Sequence, residues 1–176
     1  RILVINFGRT LAEGFTRTGN DVSMGTRDVH LTMTRELEVP PGSMAEWFAQ
    51  NPSVALADFG SVAGSSEVVV NATSGAATLA VLAEAGLVNL TGKVLIDVSN
   101  PLDFAAGFPP TLLVKDTDSL AEQVQRAFPG SRVVKTLNTV AASVMVAPQS
   151  LSEPTDVFVA GDDVSAKDTV RALLAG

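Results

Sequence analysis

The sequence predicts an α/β protein, a doubly wound and mostly parallel sheet with helices on both faces. Three observations carry this. Short apolar runs alternate with longer amphipathic stretches along the whole chain, the pattern of strand and helix in alternation. Several of the runs are almost wholly apolar, as strands buried on both faces are, where a half-exposed sheet would alternate. Small and branched aliphatics dominate the 46% apolar content, with no Tyr and a single Trp, Trp47. The length of 176 residues fits one domain, 1–176, with a sizeable core.

The strands are read in order at 2–5 (ILVI), 21–24 (DVSM), 53–57 (SVALA), 67–72 (EVVVNA), 93–98 (KVLIDV), 132–137 (RVVKTL) and 155–160 (TDVFVA). Helical patterns lie between them at 10–17, 43–50, 76–85, 119–128 and 165–174. Ser119 followed three residues later by Glu122 marks a helix start. The stretch 100–119 is a long loop after a strand, a place where compact domains often keep function.

Composition removes several classes of function. Without Cys there is no disulfide, thiolate metal site or cysteine nucleophile. His30 alone cannot build a zinc site of the usual kinds. It could serve a Ser-His-Asp triad only from within the polar stretch TRDVHLTMTRE, which reads as a solvated turn and helix start. A net charge of −7 argues against nucleic acid and anionic membranes as partners. No apolar run approaches the roughly 20 residues that span a bilayer, and ILVI is too short for a signal peptide. A cytoplasmic enzyme with small-molecule partners is the expectation.

In such a sheet, ligands bind beyond the C-terminal ends of the strands. After 2–5 comes Asn6-Phe7-Gly8-Arg9. The dinucleotide motif G-x-G-x-x-G places loop N–H groups and a helix N-terminus on a pyrophosphate. Gly8 matches its last glycine, and the first two have no counterpart. Either three residues that belong between Ile5 and Asn6 are absent from this sequence, or the loop is short and pyrophosphate binding is impaired. The intact strand and helix on either side favour the first. After 21–24 comes Gly25-Thr26-Arg27-Asp28. An NAD site wants an acidic residue at that strand end, whereas a hydroxyl and a guanidinium suit the 2′-phosphate of NADP. Arg9 or Arg35 could add charge nearby, and a surface Arg27 paired with Asp28 is the plainer alternative.

After 67–72 the residues Asn71, Ala72, Thr73, Ser74 and Gly75 leave room for pyrophosphate and the nicotinamide ribose, while Thr73 or Ser74 could equally cap the next helix. Asn100 precedes Pro101 and is held extended, able to point into the cleft. Asn138 follows the strand at 132–137. Lys135 reads somewhat better as an edge-strand lysine than as a charge in the cleft.

GTRD, VVVNATSG, VLIDVSNPLD and VVKTLNT, in that order and at these spacings, resemble the NADP-binding oxidoreductases related to NADPH:coenzyme F420 reductase. The resemblance covers nearly the whole chain. It implies a Rossmann-like fold that binds NADP(H) and exchanges a hydride with C5 of a deazaflavin, coenzyme F420 being the co-substrate. It carries Gly8, Thr26 and Arg27 to NADP binding, together with their neighbours Asn6, Phe7 and Arg9. It puts Asn71, Ala72, Thr73 and Ser74 by the nicotinamide half, and Asn100, Pro101 and Asn138 around the place where the second ring stacks. Members of that family continue beyond the equivalent of Gly176 with a segment that helps close the acceptor site and the homodimer.

Hydride transfer between two flat heterocycles needs little side-chain chemistry, because the cofactors carry the reaction. The protein must bring the reacting carbons within about 3–3.5 Å. A cleft with no evident acid–base pair agrees with this, and no catalytic side chain or metal is expected. An alcohol dehydrogenase would want a His, Tyr or Lys in place, which only Lys135 could supply. A non-catalytic NADP(H)-binding or redox-sensing module is the alternative from another class.

Overall fold

The fold is described from a computed structural model, covering residues 1–5, 8–37 and 42–175. Seven strands form the central sheet: β1 (Ile2–Ile5), β2 (Val22–Thr26), β3 (Ala55–Asp58), β4 (Val68–Asn71), β5 (Val94–Asp97), β6 (Arg132–Thr136) and β7 (Val159–Ala160). Their order is β7-β6-β5-β4-β1-β2-β3. The first six are parallel and β7 runs antiparallel to β6. The chain winds outward from β1 to β3 and then returns to the other side of β1, so a crevice opens between the C-terminal ends of β1 and β4.

Nine helices are described: α1 (Arg9–Arg17), α2 (Val29–Met33), α3 (Met44–Gln50), α4 (Phe59–Ser65), α5 (Thr78–Ala85), α6 (Leu87–Leu90), α7 (Leu120–Ala127), α8 (Ala142–Val146) and α9 (Val164–Ala175). The pleat sorts the strand residues into two cores. Ile2, Val4, Val22, Met24, Val68, Val70, Val94, Ile96 and Val134 face α1, α3 and α9. Leu3, Ile5, Val69, Leu95 and Val133 face α4, α5 and α7. With apolar side chains on both faces, the strands carry the continuous apolar runs of the sequence.

Helix starts follow local chemistry. The run expected from 43 begins at Met44, because Ser43 stands outside the helix and caps it in a reciprocal box with Glu46. Ser119 caps α7 through the Glu122 amide at 3.2 Å. The helix expected at 76–85 is a 3₁₀ turn, Gly75–Ala77, running into α5, and neither segment has a side-chain cap. The strand expected at 155–160 shrinks to Val159–Ala160, with Phe158 82% exposed beside it. Lys135 is not on an edge strand, since β6 pairs with β5 on one side and β7 on the other. α4 (FGSVAGS) carries two glycines and gives a weak helical signal. It forms because Asp58 accepts from the Ser61 amide at 2.9 Å and hydroxyl at 2.6 Å, and because Phe59, Val62 and Ala63 are buried. The loop at 100–119 contains a short hairpin pairing 102–103 with 111–112, and a second hairpin pairs 36–37 with 42–43.

Gly14 lies where α1 meets α8. A Cβ there would stand 2.5 Å from Val146 Cγ1 and 3.0 Å from Val146 Cβ. Gly14→Ala is therefore expected to lower stability by about 1–2 kcal/mol net, the overpacking outweighing the gain in helix propensity. Thermal denaturation checks this, and an unchanged or higher Tm would contradict the contact.

Candidate active site

The strand register places Gly25, Ile5, Asn71, Asp97 and Lys135 in one row across the C-terminal edge of the sheet. Paired residues in register share a face, so the polar side chains of Asn71, Asp97 and Lys135 meet. Asp97 is wholly buried. Its Oδ1 accepts from Asn71 Nδ2 at 2.8 Å, Ser99 Oγ at 2.6 Å and the Ser99 amide at 3.1 Å. Its Oδ2 accepts from Lys135 Nζ at 2.9 Å. Lys135 Nζ also donates to the Ser99 carbonyl. Thr73 Oγ1 donates to Asn71 Oδ1 at 2.8 Å and lies 2.9 Å from Thr78 Oγ1, which reaches Ser99 Oγ at 3.4 Å. Five residues, Asn71, Thr73, Thr78, Ser99 and Lys135, are thus tied directly or through one neighbour to one carboxylate.

A cleft of about 480 Å³ lies above this row, lined by Ala72, Ser74, Gly75, Asn100, Leu102 and Phe104 among others. Its two walls touch at the backbone. The Gly75 amide donates to the Asn100 carbonyl at 3.1 Å. A Cβ on Gly75 would come within 2.4 Å of Pro101 Cα and 2.6 Å of the Asn100 carbonyl oxygen. Asn100 and Asn138 join reciprocally: Asn100 Nδ2 donates to the Asn138 carbonyl at 2.7 Å, and Asn138 Nδ2 to Asn100 Oδ1 at 3.2 Å. Leu137, just before, holds φ +62° with its side chain buried. That conformation costs a non-glycine residue about 1–2 kcal/mol. Burial of the leucine holds the backbone in it, and the chain turns so that Asn138 meets Asn100.

On the other side of β1, Gly8 caps α1 with its backbone, its carbonyl accepting from the Ala12 amide at 2.8 Å. Arg9 begins that helix. Asn6 and Phe7, and with them the question of the glycine loop, lie outside the described residues. Thr26 ends β2, and its Oγ1 stands 2.6 Å from Thr32 Oγ1, which ties the turn to α2. Asp28 does not pair with Arg27. It caps α2, accepting from the Leu31 amide at 2.9 Å. Arg27 pairs instead with Glu84 through Nε, at 2.7 and 3.0 Å, in an exposed ion pair.

The expected site residues therefore divide. Ala72, Thr73, Ser74, Asn100, Pro101 and Asn138 border cavities. Asn71 and Thr73 are buried, and their side chains are spent on the network under the cleft. Ser74 stands at the N-cap of the 3₁₀ turn without a side-chain bond to it, which leaves its exposed hydroxyl to the cleft. Asp97 and Ser99 were missed as a unit with Lys135. The signal was the shared register of DVSN and VVKT, legible only once the strands are aligned. Among the described residues no helix is long and apolar enough to cross a membrane, and no cluster of His, Asp or Glu could hold a metal ion.

The strand order, the return crossing beside β1 and the polar turns along one sheet edge define a Rossmann-type domain. No family model matches the chain. A stretch of 87 residues, 48% of the chain, is 36% identical to the F420-dependent NADP reductase of Methanocaldococcus jannaschii, and the match spans 38% of that protein's length. A crystal structure of a protein provisionally named an F420-dependent NADP reductase, from Arthrobacter sp. FB24, is 47% identical with a TM-score of 0.93, over 99% of this chain and 79% of that one. A hypothetical protein of Sinorhizobium meliloti shares the fold at 21% identity and a TM-score of 0.71, over 99% of this chain and 78% of its own. The chain belongs to the family of the F420-dependent NADP reductases.

Gly75→Ala drives a methyl group into backbone, which has no rotamer by which to yield. The substitution is expected to separate the two walls of the cleft and cost about 1–3 kcal/mol of stability. A parallel loss of nucleotide affinity should appear in a fluorescence titration. Parent-like affinity and Tm would show that the walls need not touch.

Proposed function

We propose that the chain binds NADP(H) along the C-terminal edge of the sheet and passes a hydride between it and a deazaflavin acceptor of the F420 type. The observation that supports this best is the convergence of Ser74, Gly75 and Asn100 on one cleft, with Asn138 bonded to Asn100 and lining the cavity on its other side. In this reading the backbone of Gly8 and the start of α1 face the pyrophosphate, with Arg9 close by. Ala72 and Ser74 border the nicotinamide ribose. Asn71 and Thr73 act from beneath by fixing the turn that carries Ser74. Asn100, Pro101 and Asn138 border the place where the acceptor ring stacks.

The residues present suit a 2′-phosphate. Arg27 uses Nε for Glu84, and its terminal guanidinium nitrogens make no bond among the described residues. An exposed ion pair of this kind is worth about 0–1 kcal/mol, so Glu84 yields readily to a phosphate. Thr26 shapes the turn through Thr32 and presents Arg27 at its edge. NADP(H) supplies the hydride. The chain orients the rings and excludes water, and it needs no acid or base of its own. A cytoplasmic location, small-molecule partners and assembly as a homodimer belong to the same proposal.

Two measurements test it. Mixing the protein with NADPH and oxidised deazaflavin should bleach the deazaflavin chromophore and oxidise NADPH in equal amounts. Binding of NADPH without oxidation would favour the non-catalytic module. Arg27→Ala should lose about 1.5–3 kcal/mol of NADPH affinity, the worth of a charge-assisted hydrogen bond, and leave NADH affinity unchanged. Equal losses for both nucleotides would contradict the role of Arg27.

A further inference from the structure

A second and larger cavity, about 690 Å³, lies on the far side of Asn100. Asn100 lines both cavities, so a flat ring in this groove would lie beside one in the cleft. Leu112, Val114, Leu120 and Val133 give the groove apolar walls. Its rim carries both signs of charge, with Asp116, Asp118, Glu122 and Asp162 beside Lys115 and Arg126. A hydrogen bond from Arg126, with a second from Gln123, holds Asp118 below the usual carboxylate range. The groove therefore suits a flat apolar ring held between charged rim groups.

Lys135 stands in its wall. An ammonium has three N–H donors, and two of them go to Asp97 Oδ2 and the Ser99 carbonyl. The side chain is 22% exposed, with the groove as its open side. Asp97 turns its other oxygen inward to three donors. The pair thus presents its negative end to the protein and its positive end, with one unused N–H, to the groove.

We infer that Lys135 donates this third N–H to the acceptor and stabilises the negative charge created when a hydride arrives. The inference rests on the reading of the groove as the acceptor's seat. In the reaction the C4–H bond of NADPH breaks with its electron pair and a C–H bond forms on the acceptor. NADPH is oxidised to NADP⁺. The acceptor is reduced, and its carbonyl-bearing ring holds the charge until it takes a proton from water. A fixed donor at that position acts on the charge as it develops.

The test is equilibrium binding of oxidised and of reduced deazaflavin, without nucleotide, to the parent chain, to Lys135→Met and to Asp97→Asn/Lys135→Met. The double variant leaves no uncompensated buried carboxylate, so it stays folded if the single variant does not. The parent should prefer the reduced form. Both variants should lose about 10- to 100-fold in affinity for the reduced form, the worth of a hydrogen bond to a charged group, and less than about threefold for the oxidised form. Equal losses for both forms, or none, would overturn the role of Lys135 while leaving the acceptor site in place. Failure of the parent to bind either form would overturn the reading of the groove itself.

Discussion

The turns after β4 and β5 that border the cleft are fastened, directly or through one neighbour, to the buried carboxylate of Asp97. Asn71, Ser99 and Lys135 bond to it, and Thr73 and Thr78 reach it through Asn71 and Ser99. A charge removed from water is costly unless it is paired and its remaining lone pairs are filled. That requirement fixes the ends of β4, β5 and β6 relative to one another. An apolar cluster of the same volume could pack there, yet it would not dictate which oxygen faces which loop. The ion pair is best understood as a constraint on geometry, and the site inherits that geometry.

The rest of the cleft follows from the tether. With Ser99 held by Lys135 and Asp97, the next two residues arrive against Gly75, where only a glycine leaves room. The Asn100–Asn138 pair closes the third side, and the strained Leu137 is held in place by its buried side chain. Strain at a site persists where its surroundings over-determine it. Here the surroundings are the apolar core below and the amide pair above. The walls that would meet a nucleotide are preorganised, in keeping with a reaction in which the protein's work is orientation.

Much of the fold was legible because parallel strands buried on both faces must be apolar, and ILVI, EVVV and VLI are. The cap Ser119 was legible because a hydroxyl followed by a Glu three residues later has a local meaning, whereas Ser43, with the same spacing to Glu46, reads as part of the helix it caps. α4 was hidden, since FGSVAGS has poor helix propensity and is held by tertiary burial and by Asp58. The strand ends were legible as positions, but the direction their side chains take was not. Asn71 and Thr73 lie at a strand end with their polar atoms turned inward. Whether a side chain faces cleft or core depends on register, and register is a long-range property. The same blindness concealed the Asp97–Lys135 pair, whose members are 38 residues apart, and made Lys135 look like an edge lysine.

The central claim is that this sheet edge holds a dinucleotide carrying a 2′-phosphate. Titration of the purified chain with NADPH and, separately, with NADH, followed by nucleotide fluorescence, tests it most directly. The account predicts saturable NADPH binding at least tenfold tighter than NADH, the least that one charge-assisted contact at Arg27 would confer. Equal affinity for the two would contradict the 2′-phosphate reading, and absence of binding by either would contradict the site.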